Sequence, residues 1–277
     1  MTIGTALLQG ARRLEAAGVA VPRLTAEVLL AWLLGRERVY LFAHPEAELT
    51  APQQAEYEDT IERRLDGAPT QYITGRQEFW GREFRVTADV LIPRPETEHV
   101  VETAMELARG ACRIVDAGCG SGILAVTLRL ETGAEAWGTD ISTAALAVAR
   151  DNARRLGAPV RFVACDLLSG LADASFDLVV SNPPYVPDGD RPGLQREVRD
   201  YEPHVALFAG PTGYEIYERL VADARRVLRP GGWLIMELGF GTYQRVLEML
   251  GCGWKSARTV PDLAGIPRVA AAQLAPL

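Results

Sequence analysis

Cysteine, histidine and long apolar runs are all scarce in this chain of 277 residues. Its four cysteines, Cys112, Cys119, Cys165 and Cys252, form no C-x-x-C pair, and His44, His99 and His204 stand far apart. Metal-ligand spacing is therefore missing. No metal site is expected, and all seven residues read as structural. Isolated cysteines fit a reducing compartment. No apolar run approaches the length of a membrane span. The opening MTIGTALLQGARRLEAAG lacks the basic, apolar, small-residue order of a secretory signal. A cytoplasmic location without membrane contact is the expectation. Positive charge is also in deficit, with 29 Lys/Arg against 36 Asp/Glu and a net charge of −7. No chain-wide basic field attracts nucleic acid, and stable nucleic-acid binding is not expected.

What is present is the composition of a soluble globular protein, 48% hydrophobic and 23% charged. The length suits one large domain, or one medium and one small. Residues 1–70 read as a bundle of three short helices. Ala6, Leu7, Leu14 and Ala17 recur at helical spacing. Thr25 is expected to cap AEVLLAWLLG, which stops at Gly35. A third helix runs from Thr50 to Leu65, with Pro52 early in it. Residues 1–80 carry eight Lys/Arg and eleven Asp/Glu. A nucleic-acid clamp is excluded by that balance; a stabilising cap or a partner-docking module remains. Residues 71–92 alternate aromatic and β-branched with polar residues around Gly75 and Gly81, and read as a β-hairpin linker. Thr97 is expected to cap the helix that follows LIPRPETEH.

From residue 93 onward the catalytic part begins, and from residue 112 the pattern becomes strand, helix, strand, helix. RIVDAG, EAWGTD, VRFVACD and FDLVVSN are strands, with helices ILAVTLRLE and TAALAVARDNARRLG between the first three. EIYERLVADARRVL is a helix ended by Pro230-Gly231-Gly232; WLIMELG is a strand and YQRVLEMLG a helix. WKSARTV and RVAAAQLAPL close the chain as an antiparallel hairpin. The whole reads as an α/β doubly wound sheet with a C-terminal antiparallel hairpin and a small N-terminal helical bundle.

Four strand ends carry candidate chemistry. Asp116-Ala-Gly118-Cys119-Gly120-Ser121-Gly122 follows a strand and opens a helix. Its spacing is G-x-G-x-G, whereas the dinucleotide fingerprint is G-x-G-x-x-G. S-adenosylmethionine carries no phosphate, and its amino-acid moiety and ribose suit a glycine bend; the bland alternative is a turn that packs strand on helix. Asp140 ends the next strand, where a carboxylate can accept both ribose hydroxyls or cap a helix. Asp166 ends the third, where it can accept from an adenine amino group with Leu167 packed on the base.

The fourth strand ends in Asn182-Pro183-Pro184-Tyr185. The Asn182 side-chain carbonyl and the Pro183 backbone carbonyl can each accept one N–H of a planar –NH2 group. The two prolines preset the backbone, and Tyr185 can stack on the group. That arrangement aims a weakly nucleophilic nitrogen at a methyl donor. Residues 186–212 show little regular pattern and read as a lid. Arg191, Arg196 and Arg199 within it face either acidic groups of a partner or solvent.

FWGREFRV, LIPRPETE, NPPYVP…YEPHVALFAGPTGYEIY and DLAGIPR together resemble the peptide chain release factor N5-glutamine methyltransferases, the PrmC/HemK family. The likeness runs over nearly the whole chain. It implies a class I S-adenosylmethionine fold, a docking role for the N-terminal helices, and class I release factors as partners. It implies methyl transfer from S-adenosylmethionine, leaving S-adenosylhomocysteine, to N5 of the glutamine in a Gly-Gly-Gln motif. The implied donor contacts are Gly118 to Gly122, Asp140, Leu167 and Asn182, and the implied glutamine contacts are Asn182 to Tyr185. The family often has an aromatic residue at Leu167 and Phe at Ile92. The residues alone leave open a DNA N6-adenine methyltransferase, an rRNA N2-guanine methyltransferase, and a non-catalytic donor-binding module.

Overall fold

The computed structural model describes residues 1–276 and divides into two compact units. The first comprises residues 1–76 together with 195–201. It holds α1 (Ile3–Ala16), α2 (Pro22–Leu34), α3 (Arg38–Ala43), α4 (Ala51–Leu65) and α5 (Thr70–Thr74), two short helices more than the periodicity predicts. Helix α4 starts as expected, with Thr50 and Gln53 forming a reciprocal capping box. Helix α2 starts earlier than expected. Pro22 occupies its first turn, so Thr25 lies inside the helix, buried, and caps nothing. Leu14, Leu29, Leu30, Leu41 and Ile61 are fully buried between the helices. Each contributes about 1.5–3 kcal/mol of burial. Buried Glu27 is neutralised by Arg23 at 3.1 Å and Arg38 at 2.7 Å.

The second unit comprises residues 77–194 and 202 onward. Strands β1 (Arg76–Phe79) and β2 (Arg82–Arg85) form the expected hairpin. Its turn residues Trp80 and Gly81 both have positive φ, 53° and 65°. That is the backbone of a primed two-residue turn, which matches strand twist. The hairpin is not a free linker. Phe79 and Phe84 are buried in one cluster with Val100 and Val101 of α6 (Glu98–Leu107) and Ile114 of β3 (Arg113–Ala117).

The chain continues through α7 (Ile123–Thr132), β4 (Glu135–Asp140), α8 (Thr143–Arg155), β5 (Val160–Ala164) and β6 (Phe176–Ser181). The stretch expected to lack pattern contains β7 (Val186–Pro187), α9 (Arg196–Tyr201), β8 (Phe208–Gly210) and two 3-10 turns. Its order comes from partners distant in sequence. β7 pairs with β8, and α9 belongs to the first unit, where Glu197 meets Arg64 at 2.5 Å and the Tyr201 hydroxyl donates to the Asp66 carbonyl at 3.1 Å. Then follow α10 (Glu215–Val227), β9 (Leu228–Glu237), α11 (Tyr243–Met249), β10 (Trp254–Pro261) and β11 (Pro267–Leu274). Pro230-Gly231-Gly232 lies within β9, at an irregularity in its pairing with β6, so α10 passes into the strand without an intervening turn.

The seven strands of the central sheet run in the order β10-β11-β9-β6-β3-β4-β5. β9, β6, β3, β4 and β5 are parallel, and β11 and β10 close the sheet as the expected antiparallel pair. Alternation along the strands feeds two cores. Val115, Ala117 and Val179 pack with α10; Ile114, Leu178 and Val180 pack with α6 and α7. The chain runs β3-β4-β5 to one side and returns to β6 on the other side of β3. The ends of β3 and β6 therefore flank the switch point where open α/β sheets bind ligands. The Ser181 hydroxyl donates to the Ala117 carbonyl at 2.7 Å and ties the two ends together. Among the described residues no helix is long and apolar enough to cross a membrane.

Candidate functional site

The carboxyl ends of β3, β4, β5 and β6 open into one cavity of about 210 Å³. Gly118, Cys119, Gly120 and Ser121 form its floor. The bend is held by backbone bonds from Cys119 N–H to the Thr139 carbonyl at 2.8 Å and from Gly122 N–H to the Cys119 carbonyl at 2.7 Å. Gly122 does not line the cavity. It has φ 84° and caps α7, where a Cβ would sit 3.1 Å from that of Ala149. Its glycine serves helix packing, the bland reading of that position.

Asp140 lines the cavity and is fixed at both oxygens, accepting from Gly120 N–H at 2.9 Å and Ser142 N–H at 2.8 Å. Each oxygen keeps a further lone pair. Burial raises its pKa, and those backbone bonds oppose the rise. Asp116 is more extreme. It is 1% exposed, and its Oδ2 accepts from Ala125 N–H at 3.1 Å. Its Oδ1 has no partner among the described residues. Burial pushes its pKa up to about 7, with the charge of Asp140 adding to the rise. A buried acceptor without a donor in a cavity wall is a costly arrangement unless a ligand donates to it. The sequence carried a signal for this residue, a carboxylate inside the apolar run RIVDAG, but only the structure displays its vacant oxygen.

Asp166 and Leu167 both line the cavity. The Asp166 carboxylate is ion-paired with Arg219. Leu167 has φ 47°, a left-handed backbone that costs a branched residue about 1–2 kcal/mol. The Asp223 carboxylate accepts from the following Leu168 N–H at 3.2 Å, and Arg226 donates to the Leu168 carbonyl at 2.8 Å.

Asn182 and Pro184 line the cavity, whereas Pro183 and Tyr185 are not among its lining residues. The Asn182 Nδ2 donates to the Thr97 hydroxyl at 3.1 Å, which leaves Oδ1 as its uncommitted polar atom. The Tyr185 ring rests on Gly239, where a Cβ would lie 2.7 Å from it. Burial and the charge of Glu237 raise the pKa of its hydroxyl. Thr97 makes no capping bond to α6, contrary to the local expectation. Its hydroxyl donates instead to buried Glu237 at 2.6 Å.

One wall escaped the motif reading, and another falls in the 186–212 stretch expected to form a lid. Val90, Leu91 and Pro93 come from the segment before α6, and Pro203, Val205, Ala206 and Phe208 from the segment around β8. Arg94 and Glu202 join these walls as an ion pair, with Ile92 N–H also donating to Glu202 at 3.4 Å. The PRPETE and YEP motifs are thus two halves of one clasp. Ile92 itself is buried and does not line the cavity.

Residues 5–75 match the family described as PrmC N-terminal domain, and residues 97–195 match the methyltransferase small domain. The release factor glutamine methyltransferase of Koribacter versatilis is 47% identical, with 97% of each chain covered. The chain belongs to the release factor glutamine methyltransferase family. It is an enzyme of the methyltransferase class. The relative of the same name from Nitratidesulfovibrio vulgaris is 43% identical over 95% of this chain and 92% of its own. Among solved structures, the 16S rRNA N2 G1207 methyltransferase of T. thermophilus, in complex with AdoMet and guanosine, aligns with a TM-score of 0.54 at 21% identity. That alignment covers 72% of this chain and 49% of the other, and it speaks to the fold alone.

Proposed function

We propose that this enzyme transfers the methyl group of S-adenosylmethionine to the N5 side-chain nitrogen of the glutamine in the Gly-Gly-Gln motif of peptide chain release factors. Full-length relatives named release factor glutamine methyltransferase support the substrate class. The carrying observation is Asn182 at the cavity wall with its amide nitrogen already engaged by Thr97, which leaves its carbonyl oxygen free to accept from an incoming amide.

The residues present fit the donor. Asp116 Oδ1, buried and unpartnered, suits the ammonium of its amino-acid end. Asp140 suits the ribose hydroxyls, and Asp166 with Leu167 the adenine. Gly118 to Ser121, which line the cavity, would hold the amino-acid end. Bound there, S-adenosylmethionine supplies an electrophilic methyl group on a sulfonium sulfur.

The acceptor side must make an amide nitrogen nucleophilic. Its lone pair is delocalised into the carbonyl. Asn182 Oδ1 and the Pro183 carbonyl each accept one of its two hydrogens, which raises electron density on nitrogen and favours a pyramidal geometry. Pro184, which lines the cavity, limits how the planar group can turn. A nitrogen–carbon bond forms as the carbon–sulfur bond breaks, the bonding pair returns to sulfur, and the extra proton leaves to water. S-adenosylhomocysteine is the coproduct. Residues 1–70 are taken as the docking module for the release factor, and the cytoplasm as the site of action.

Methyl-labelled donor incubated with a class I release factor, its Gln-to-Ala variant, DNA and RNA tests the reading. Label is expected in the wild-type factor alone. Label in nucleic acid, or undiminished label in the Ala variant, refutes the substrate. No label anywhere leaves a donor-binding module in its place.

A further inference from the structure

We propose that Thr97 and Glu237 are positioning residues that dictate which way round the Asn182 side-chain amide sits. The inference deepens the functional reading above and rests on it only for its activity measurements.

The oxygen and nitrogen of a side-chain amide are nearly equal in size, so packing alone chooses poorly between its two orientations. The choice is decisive here. One orientation offers the cavity an acceptor; the other offers it two N–H donors, which repel the N–H groups of an incoming amide. Thr97 has one hydroxyl hydrogen, and a carboxylate can only accept. With Glu237 ionised, that hydrogen goes to Oε2 at 2.6 Å, and the Thr97 oxygen is left with lone pairs. Only a donor can then approach from Asn182, so Nδ2 faces Thr97 at 3.1 Å and Oδ1 faces away from it.

Each member is anchored by a different element. Asn182 follows β6, Thr97 opens α6, and Glu237 ends β9. Thr97 is 0% exposed and Glu237 3%, so water does not substitute for either partner. The Glu237 backbone is fixed by its register opposite Val269 and by the Tyr217 hydroxyl, which donates to its carbonyl at 2.9 Å. The charged groups around the Glu237 carboxylate are Glu96, Arg94 and Arg268. The two cations also pair elsewhere, Arg94 with Glu202 and Arg268 with Asp262. A carboxylate kept at this depth has a use in polarising Thr97, whose hydroxyl has been diverted from the capping role its position offers.

The test uses full-length protein at pH 8, above the value of about 7 to which burial raises Glu237. Thr97→Val keeps the shape and removes the hydroxyl. It is expected to lower kcat on the release factor by about 10-fold to 100-fold while donor Kd stays within about threefold. Thr97→Ser is expected to recover most of the loss. In an Asn182→Ala background, Thr97→Val is expected to cost nothing further, because the side chain it orients is gone. Unchanged kcat in Thr97→Val, or an undiminished effect in the Asn182→Ala background, overturns the proposal. A second readout does not depend on substrate. In 15N-labelled wild type, one Asn182 Nδ2 hydrogen is expected to exchange slowly with solvent. That protection should vanish in Thr97→Val and weaken in Glu237→Gln. Fast exchange in wild type overturns the proposal whatever the enzyme methylates, whereas slow exchange with no label in the release factor overturns only the substrate.

Discussion

The Asn152 side chain donates to the Ser121 carbonyl and to the Arg85 carbonyl, both at 2.9 Å, and accepts from Arg85 N–H at 2.7 Å. One fully buried amide thereby joins α8, the glycine bend and strand β2. Every bond it makes is to backbone, so no neighbouring side chain can compensate for its loss. Asn152→Leu would strand buried polar groups, each worth about 1–3 kcal/mol. We expect it to destabilise the second unit by about 2–4 kcal/mol in chemical denaturation, given that Arg85 lies at the surface and regains water. Asn152→Asp is expected to be worse, because a carboxylate donates to neither carbonyl and adds a buried charge. If Asp proved as stable as Asn, donation to Ser121 would have no role in holding the bend.

At Asn182 the expected loss is kinetic. Asn182→Ala removes an acceptor that matters most as charge develops on the acceptor nitrogen. Turnover is expected to fall by about 100-fold or more, with donor Kd within a few-fold of wild type. Single-turnover methyl transfer and equilibrium donor binding separate the two. Asn182→Asp retains an acceptor yet is not expected to rescue activity. Its carboxylate would compete with Glu237 for the one Thr97 hydrogen and would place like charges close together. A loss confined to donor affinity in Asn182→Ala would assign the residue to the donor alone.

Local rules read the strands and their ends well. Asp140, Asp166 and Asn182 stand where strand-ending polar residues were expected, and a hydrophobic period switching between two and 3.6 placed the sheet. Thr50 and Gly35 were legible because a cap depends on neighbours within four residues. Thr25 failed because Pro22 offered a better helix start three residues earlier. Thr97 failed for a different reason. Its partners lie 85 and 140 residues away, and a buried carboxylate outcompetes a helix N–H for its hydroxyl. Residues 186–212 looked patternless because their order depends on Arg64, Asp66 and mutual pairing of two very short strands, none of which leaves a period. The burial of Asp116 was hidden in the same way, since a strand residue's exposure depends on what the sheet packs against.

Asp116 ties donor binding to pH with a sign that can be checked. Its folded pKa of about 7 lies above the ordinary 3.8, because burial disfavours the charge. Between these values the folded chain holds a proton that the unfolded chain has released. Stability from this group is therefore complete below about pH 4 and declines as pH rises through 7. Asp116→Asn keeps an acceptor for Ala125 N–H and cannot ionise. Without donor it is expected to match wild type at pH 4 and to exceed it at pH 8, by no more than about 4 kcal/mol. Donor affinity should move the other way. An ammonium is held by the ionised carboxylate, so wild-type affinity is expected to rise between about pH 6 and pH 8, within about a unit of the folded pKa of about 7. The Asn variant should lose about 10-fold or more in affinity at the upper end and show a flatter pH profile. Thermal melts with and without donor across that range measure both effects in one series. An Asn variant that gains no stability at pH 8 and still binds donor as wild type does would show that the vacant oxygen of Asp116 faces no cation at all.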